Sequence, residues 1–166
     1  MVSPATPGAR TGFALSLKGR ALRLLAGREH SRAELERKLG PHAQTPEHLA
    51  QVLDELQAKD FISEARVVAS VINRRQAKLG ASRIKGELQR KGIDPDAVAE
   101  AMSGLKATEL ERAQEVWRKK FDSKTDAPSL ADISPADRAR QMRFLAARGF
   151  GAEVIRRVVA GRDDED

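Results

Sequence analysis

One short pattern limits this chain more than any other: a Leu, two variable residues, a basic residue, a Gly and an apolar residue. It occurs as Leu88, Lys91, Gly92, Ile93 and again as Leu145, Arg148, Gly149, Phe150. The two copies stay in step downstream, where Val98, Ala101 and Met102 match Ile155, Val158 and Val159. A fainter copy lies upstream, where Leu35, Lys38 and Leu39 follow Ser31. Repetition on this scale means one small unit used three times, not a single large core. In each clear copy the Gly suits a left-handed residue closing a helix, and the next residue, Ile93 or Phe150, drops into the core.

Composition agrees with small cores. Of 166 residues only 4% are aromatic, and none is Tyr. A unit of about 45 residues buries too little surface to be stable alone, so neighbouring units should brace one another.

The apolar period is helical throughout, with no convincing strand alternation. Helix starts are marked by Ser16, the capping-box run Ser31-Arg-Ala-Glu34, Thr45-Pro46, Ser63, Asp94-Pro95, Thr108 and Ser134-Pro135. Stops are expected at Gly27, Gly40, Gly80, Gly92, Gly104 and Gly149. About nine helices follow, in three sets: 17–27, 32–39 and 46–59; 64–79, 83–91 and 95–103; 109–121, 135–148 and 152–160. The predicted fold is all-α, with three tandem three-helix units resembling helix-turn-helix, elongated and curved. The units span 16–62, 63–107 and 108–161, with a loop at 122–134, a disordered arm at 1–15 and an acidic tail at 162–166.

Each set carries an aliphatic stripe. The first offers Leu24, Leu35, Leu39, Leu49, Val52, Leu53 and Leu56. The second offers Val68, Val71, Ile72, Leu79, Ile84, Leu88, Ile93, Val98 and Met102. The third offers Leu110, Ala113, Trp117, Phe121, Leu145, Phe150, Ile155, Val158 and Val159. Its register places Trp117 in the core rather than against a nucleobase.

The chemistry search is nearly empty. There is no Cys, hence no disulfide, thiol nucleophile or Cys-based metal site, in keeping with a reducing cytoplasm. His30, His42 and His48 lack metal spacing, and no phosphate-binding Gly-rich loop with a Lys is present. Ser31 sits beside His30, but a capping role explains it better than nucleophilic catalysis. No enzyme, cofactor or metal is expected. No apolar run approaches a membrane span, and no export signal opens the chain.

Charge is the stronger lead. The formal net charge is +6, and residues 63–107 alone carry nine basic against five acidic side chains. In the middle unit Arg74 and Lys78 stand one turn apart, beside Arg75, while Arg83 and Arg90 share the next helix with Lys85 and Lys91 close by. In the third unit Arg118, Lys119 and Lys120 form a run, and Arg138, Arg140, Arg143, Arg148, Arg156 and Arg157 form a second cluster. Such stripes track phosphates or rows of carboxylates. The plainer alternative is solvated faces balanced by Glu87, Glu115 and Asp137. No aromatic is interleaved with these residues, which argues against a base-stacking platform. The acidic tail reads as a solvated end.

At these residues the chain resembles the RecX family, regulators of the RecA recombinase. Three blocks carry the likeness: Arg28-Glu-His-Ser31 with Glu34-Leu35 and Lys38-Leu39; Gly80-Ala-Ser-Arg-Ile-Lys-Gly-Glu-Leu-Gln-Arg-Lys-Gly-Ile93; and Trp117-Arg-Lys-Lys-Phe121 followed by Arg143-Phe-Leu-Ala-Ala-Arg-Gly-Phe150. The likeness runs from about residue 16 to 160. One stretch departs. After Phe61-Ile62 the family's acidic pair is Ser63-Glu64 here, and Val67 and Val71 stand where aromatics are usual, although Arg66 is retained. The resemblance implies a monomer that binds the groove of the RecA–DNA filament and touches single- and double-stranded DNA weakly, without sequence preference. It would inhibit filament extension, ATP hydrolysis and strand exchange, modulating recombination, DNA repair and the SOS response. A helix-turn-helix transcriptional regulator, with helix 83–91 in a major groove, and a purely structural adaptor are the rival readings.

Overall fold

A computed structural model describes residues 15–122 and 133–160. The body of the expected loop, the acidic tail and all but Leu15 of the expected arm lie outside them. Eight α-helices make up the described chain, and no strand occurs among these residues. They are α1 (Leu17–Gly27), α2 (Arg32–Leu39), α3 (Pro46–Ala58), α4 (Glu64–Arg75), α5 (Ala81–Arg90), α6 (Pro95–Trp117), α7 (Pro135–Ala147) and α8 (Ala152–Ala160). A 3-10 turn, Gly40–His42, follows α2, and a wide π turn, Arg118–Asp122, follows α6.

Most starts are capped as their sequence demands. Side-chain oxygens of Ser16, Ser31, Thr45, Ser63, Asp94 and Ser134 each accept a backbone N–H from the first turn. The Ser31 box closes in both directions, with Glu34 N–H donating to Ser31 Oγ at 3.2 Å and Ser31 N–H to Glu34 Oε1 at 3.4 Å.

The main correction concerns Gly104 and Thr108. The sequence suggests a stop and a new cap there, but α6 runs through both as one helix of 23 residues. The reason lies in its buried stripe. Val98, Met102, Leu105, Glu109, Ala113 and Val116 keep helical spacing across Gly104, which is exposed. A helical Gly costs about 1 kcal/mol relative to Ala, and packing on both sides outweighs that. Thr108 Oγ1 instead donates back to the Leu105 carbonyl at 3.4 Å. The third helix of the middle unit and the first of the last unit are therefore one rod.

Two further differences are local. Helix α4 ends at Arg75, not at 79, because Arg112 of α6 donates to the carbonyls of Gln76 (3.1 Å) and Leu79 (2.9 Å). Those contacts satisfy the orphan acceptors of a turn that swings the chain into α5. Of the six expected left-handed glycines only Gly92 (φ +71°) and Gly149 (φ +85°) are so; Gly27, Gly40, Gly80 and Gly104 are not. Asp60 (φ 64°) takes the same role after α3, unannounced by its sequence.

Three separate aliphatic cores result. Leu35, Leu53 and Leu56 are sealed in the first; Ile84 and Leu88 with Val67 and Val71 in the second; Ala113 and Leu145 in the third. The valines in the departing stretch are thus core residues, 1% exposed, and Val67 extends the expected stripe. Trp117 is half-buried at the rim, where its Nε1–H donates to the buried Gln141 Oε1 at 2.9 Å.

A pair of substitutions tests this geometry by urea unfolding. Gly104→Ala fills open space in a continuous helix and should raise stability by about 0.5–1 kcal/mol. Gly149→Ala forces a Cβ into the backbone and side chain of Arg83 at positive φ and should cost about 2–4 kcal/mol. A loss of stability for Gly104→Ala would mean that α6 is broken there.

Candidate interaction surface

The repeated turns also join the units. The turn after α7 sits on the start of α5. Gly80 N–H donates to the Arg148 carbonyl (2.7 Å), and Ser82 N–H to the Gly149 carbonyl (3.2 Å). Both donors lie at a helix N-terminus and have no partner inside the helix. Gly80 caps α5 without a side chain, so Glu109 of α6 supplies one, its Oε1 accepting the Ala81 N–H at 3.3 Å. The approach is backbone on backbone: a Cβ on Gly80 would strike Gly149 and Phe150 main-chain atoms.

The turn after α5 meets the start of α2 in the same way. Ser31, the α2 cap, donates its hydroxyl to the Lys91 carbonyl at 2.6 Å, and a Cβ on Gly92 would lie 2.8 Å from Ala33. Here, however, the contact is ionic. Glu34, 5% exposed, receives Lys91 Nζ at 2.8 Å and Arg28 at 2.7 Å. Burial alone would push its carboxyl upward. The hydrogen bonds and charges of Lys91 and Arg28 outweigh this and bring it from 4.5 down to about 2. Beside it His30 is 3% exposed, its Nδ1–H donating to the Arg28 carbonyl at 3.0 Å, and burial lowers its pKa from 6.5. The His30-Ser31 pair is therefore a structural seam.

The expected basic residues fall into several different settings. Lys91 is turned inward onto Glu34, its side chain 14% exposed. Arg66 spans Glu29 (2.9 Å) and Asp60 (3.0 Å), fastening α4 to the first unit. Arg74 and Arg75 share Glu87, at 3.9 and 3.0 Å. Lys78 lies in the turn beyond α4, so the one-turn stripe expected with Arg74 is absent. Arg83 lays its stem against Gly149. Lys85 lines a separate groove with Lys106 over Ile93, Val98 and Met102. Arg90 stands exposed at the end of α5.

In the third unit Arg118 and Lys119 both reach Glu115 at 3.7 Å, Arg140 lies 3.9 Å from Asp137, and Arg156 pairs with Glu153. Arg138, Arg143 and Arg157 are exposed. Aromatics and cations interleave in space, as they already do in the runs Trp117-Arg-Lys-Lys-Phe121 and Arg143-Phe144, which corrects the sequence reading. Phe121 packs edge-on against Phe144 (5.3 Å between centroids), Arg148 lies over Phe144 at 4.3 Å, Lys120 near the same ring at 6.0 Å and Arg140 over Phe121 at 5.9 Å. The rings' faces are taken up by the protein's own cations.

Sequence reasoning missed Arg37 and Lys38, which stand exposed on α2 facing Arg90 across a groove between the first and middle units. Among the described residues no His, Cys, Asp and Glu grouping could hold a metal, and no helix is long and apolar enough to cross a membrane.

Comparisons with known proteins fit this architecture. Family models described as the first, second and third three-helix domains of RecX match residues 18–56, 63–102 and 107–159. A regulatory protein RecX from Leptothrix cholodnii is 52% identical over 91% of this chain and 92% of its own length. One from Chromobacterium violaceum is 43% identical over 91% and 93%. The crystal structure of RecX from Lactobacillus salivarius superposes with a TM-score of 0.72 at 19% identity, covering 86% of this chain and 92% of that one.

The Glu34 clamp makes the fold acid-sensitive. A carboxyl held at about 2 contributes stability that is fully present above its unfolded value of 4.5 and is lost as pH falls through about 2. Glu34→Gln should lower unfolding free energy at pH 7 by about 2–4 kcal/mol. The gap to the parent protein should narrow steadily below pH 4.5, read from urea midpoints across a pH series. A gap independent of pH would remove the clamp as its source.

Proposed function

The chain belongs to the RecX family of regulatory proteins, and from that premise we propose that it binds the groove of the RecA–DNA filament. Bound there it hinders subunit addition and movement, lowering filament extension, ATP hydrolysis and strand exchange and so tempering recombination, DNA repair and the SOS response. It acts as a monomer in the cytoplasm, without cofactor or catalytic residue. Its three units, 16–62, 63–107 and 108–161, lie along a repeating partner. Single- and double-stranded DNA are met through phosphates, without sequence preference.

The observation that carries this reading is family membership joined to an uneven basic surface. Lys78, Lys85, Arg90, Arg143 and Arg157 are exposed without an ion pair among the described residues, spread over two units. A transcriptional regulator reading bases through α5 fits less well. Recognition helices present their N-terminal residues to base edges. The α5 N-terminus is covered by the Arg148–Gly149 turn.

The test is single-stranded-DNA-dependent ATP hydrolysis by RecA of the same organism, titrated with this protein. The rate should fall well before one molecule is present per RecA subunit. Unchanged hydrolysis at saturation, with filaments intact, would overturn the proposal.

A further inference from the structure

We propose that the groove between the first and middle units is a nucleic-acid backbone site, in which Arg37, Lys38 and Arg90 hold successive phosphates. The proposal rests on the regulator reading for its setting, while its test needs no RecA.

Every residue lining this groove carries a charge. The two carboxylates are already engaged. Glu34 is held by Lys91 and Arg28, and Glu87 by Arg75 and Arg74. These four cations are correspondingly occupied. Arg37, Lys38 and Arg90 remain, exposed and without an ion pair among the described residues. They come from two units. Arg37 reaches across the junction, its NH2 donating to the Arg90 carbonyl at 3.4 Å, so the unpaired charges converge from both walls. Holding three unpaired cations together is electrostatically unfavourable, and a bound polyanion relieves it.

The chemistry of the lining selects the ligand. Protein interfaces need an apolar core, and this groove offers no apolar residue. Interfaces with nucleic acid are polar and strongly positive. The lining also lacks an aromatic, so bases have nothing to stack on and the groove follows backbone without reading sequence. Bulk charge is not the cause. Residues 16–62, which supply Arg37 and Lys38, carry eight basic and seven acidic side chains, so the positive field here is local.

The experiment measures binding of fluorescein-labelled oligodeoxythymidylate by anisotropy across a salt series, with no RecA present. The combined variant Arg37→Glu, Lys38→Glu, Arg90→Glu should weaken binding about tenfold or more at low salt. The neutral triple Arg37→Gln, Lys38→Gln, Arg90→Gln should lower the slope of log K against log salt by about 2, from three lost phosphate contacts. The control Arg20→Glu, Arg23→Glu, Lys106→Glu makes the same change in net charge away from the groove and should stay within about twofold of the parent. Unfolding midpoints of all three confirm that they fold. Equal losses in groove and control variants would reduce the effect to net charge and overturn the site, as would parent-like binding by both groove triples. Polyglutamate displacing the oligonucleotide at equal charge concentration would also overturn it, pointing to an acidic protein ligand. Loss of DNA binding alongside unaffected RecA hydrolysis by the parent protein would leave the groove standing and remove only the RecA reading.

Discussion

Assembly of this chain depends on one contact made twice. A left-handed glycine turn closes a helix from within and at the same time caps the helix of the preceding unit from outside. Ile93 N–H returns to the Leu88 carbonyl and Phe150 N–H to the Leu145 carbonyl, which closes each turn. The carbonyls of Lys91 and Arg148, one position before each glycine, point outward and accept from Ser31 and Gly80, the caps of α2 and α5. Glycine is required for two reasons that coincide. The backbone is at positive φ, and a Cβ would strike Ala33 at Gly92 or Arg83 at Gly149. Each turn thereby fixes the register of its unit against the one before it.

Identical topology does not make the two junctions physically alike. Between the middle and third units the contact is backbone on backbone, reinforced by Glu109 at the α5 start, by Arg112 at the α4 end and by the continuous α6 rod. Solvent ions have little to act on there. Between the first and middle units the fastening is ionic: Lys91 on Glu34, which Arg28 of the first unit also holds, and Arg66 on Glu29. A largely buried carboxylate with two cations resists dilute salt but leaves an uncompensated charge when either side is removed. Responses to pH should therefore concentrate at the first junction.

Local signals were legible in the sequence. The Ser31 box, the prolines at helix starts, the repeated Leu and Gly and most core positions follow from spacing that a helix enforces over a few residues. What escaped depends on partners far away in the chain. Gly104 reads as a stop locally, and only a stripe packed on two cores overrides it. Arg112 carries no local sign of its role, yet it holds carbonyls in the turn after α4. Lys91 has the same character in sequence as Arg90, but one is turned inward onto Glu34 and the other stands in solvent. Helical phase gives an angle, and whether that angle meets a carboxylate or water is settled by the neighbouring unit. Arg37 and Lys38 were missed for the same reason, since Arg90 faces them only once the junction has formed.

That dependence joins fold to function. The proposed phosphate groove exists in neither unit alone: Arg37 and Lys38 belong to α2, Arg90 to α5, and the distance between them is set by the Ser31–Lys91 and Glu34–Lys91 contacts lying beneath. Lys91 gives its charge to the clamp so that its neighbour Arg90 can be presented outward at a fixed place. A cation used for assembly next to one left for binding explains why net charge describes this surface poorly. Of the basic side chains read from sequence as stripes and clusters, several are consumed in holding units together or in covering aromatic rings, as Arg148 covers Phe144. The placement of Arg37 and Lys38 against Arg90 is set by the junction between their units, so the proposed groove depends on the geometry of that junction.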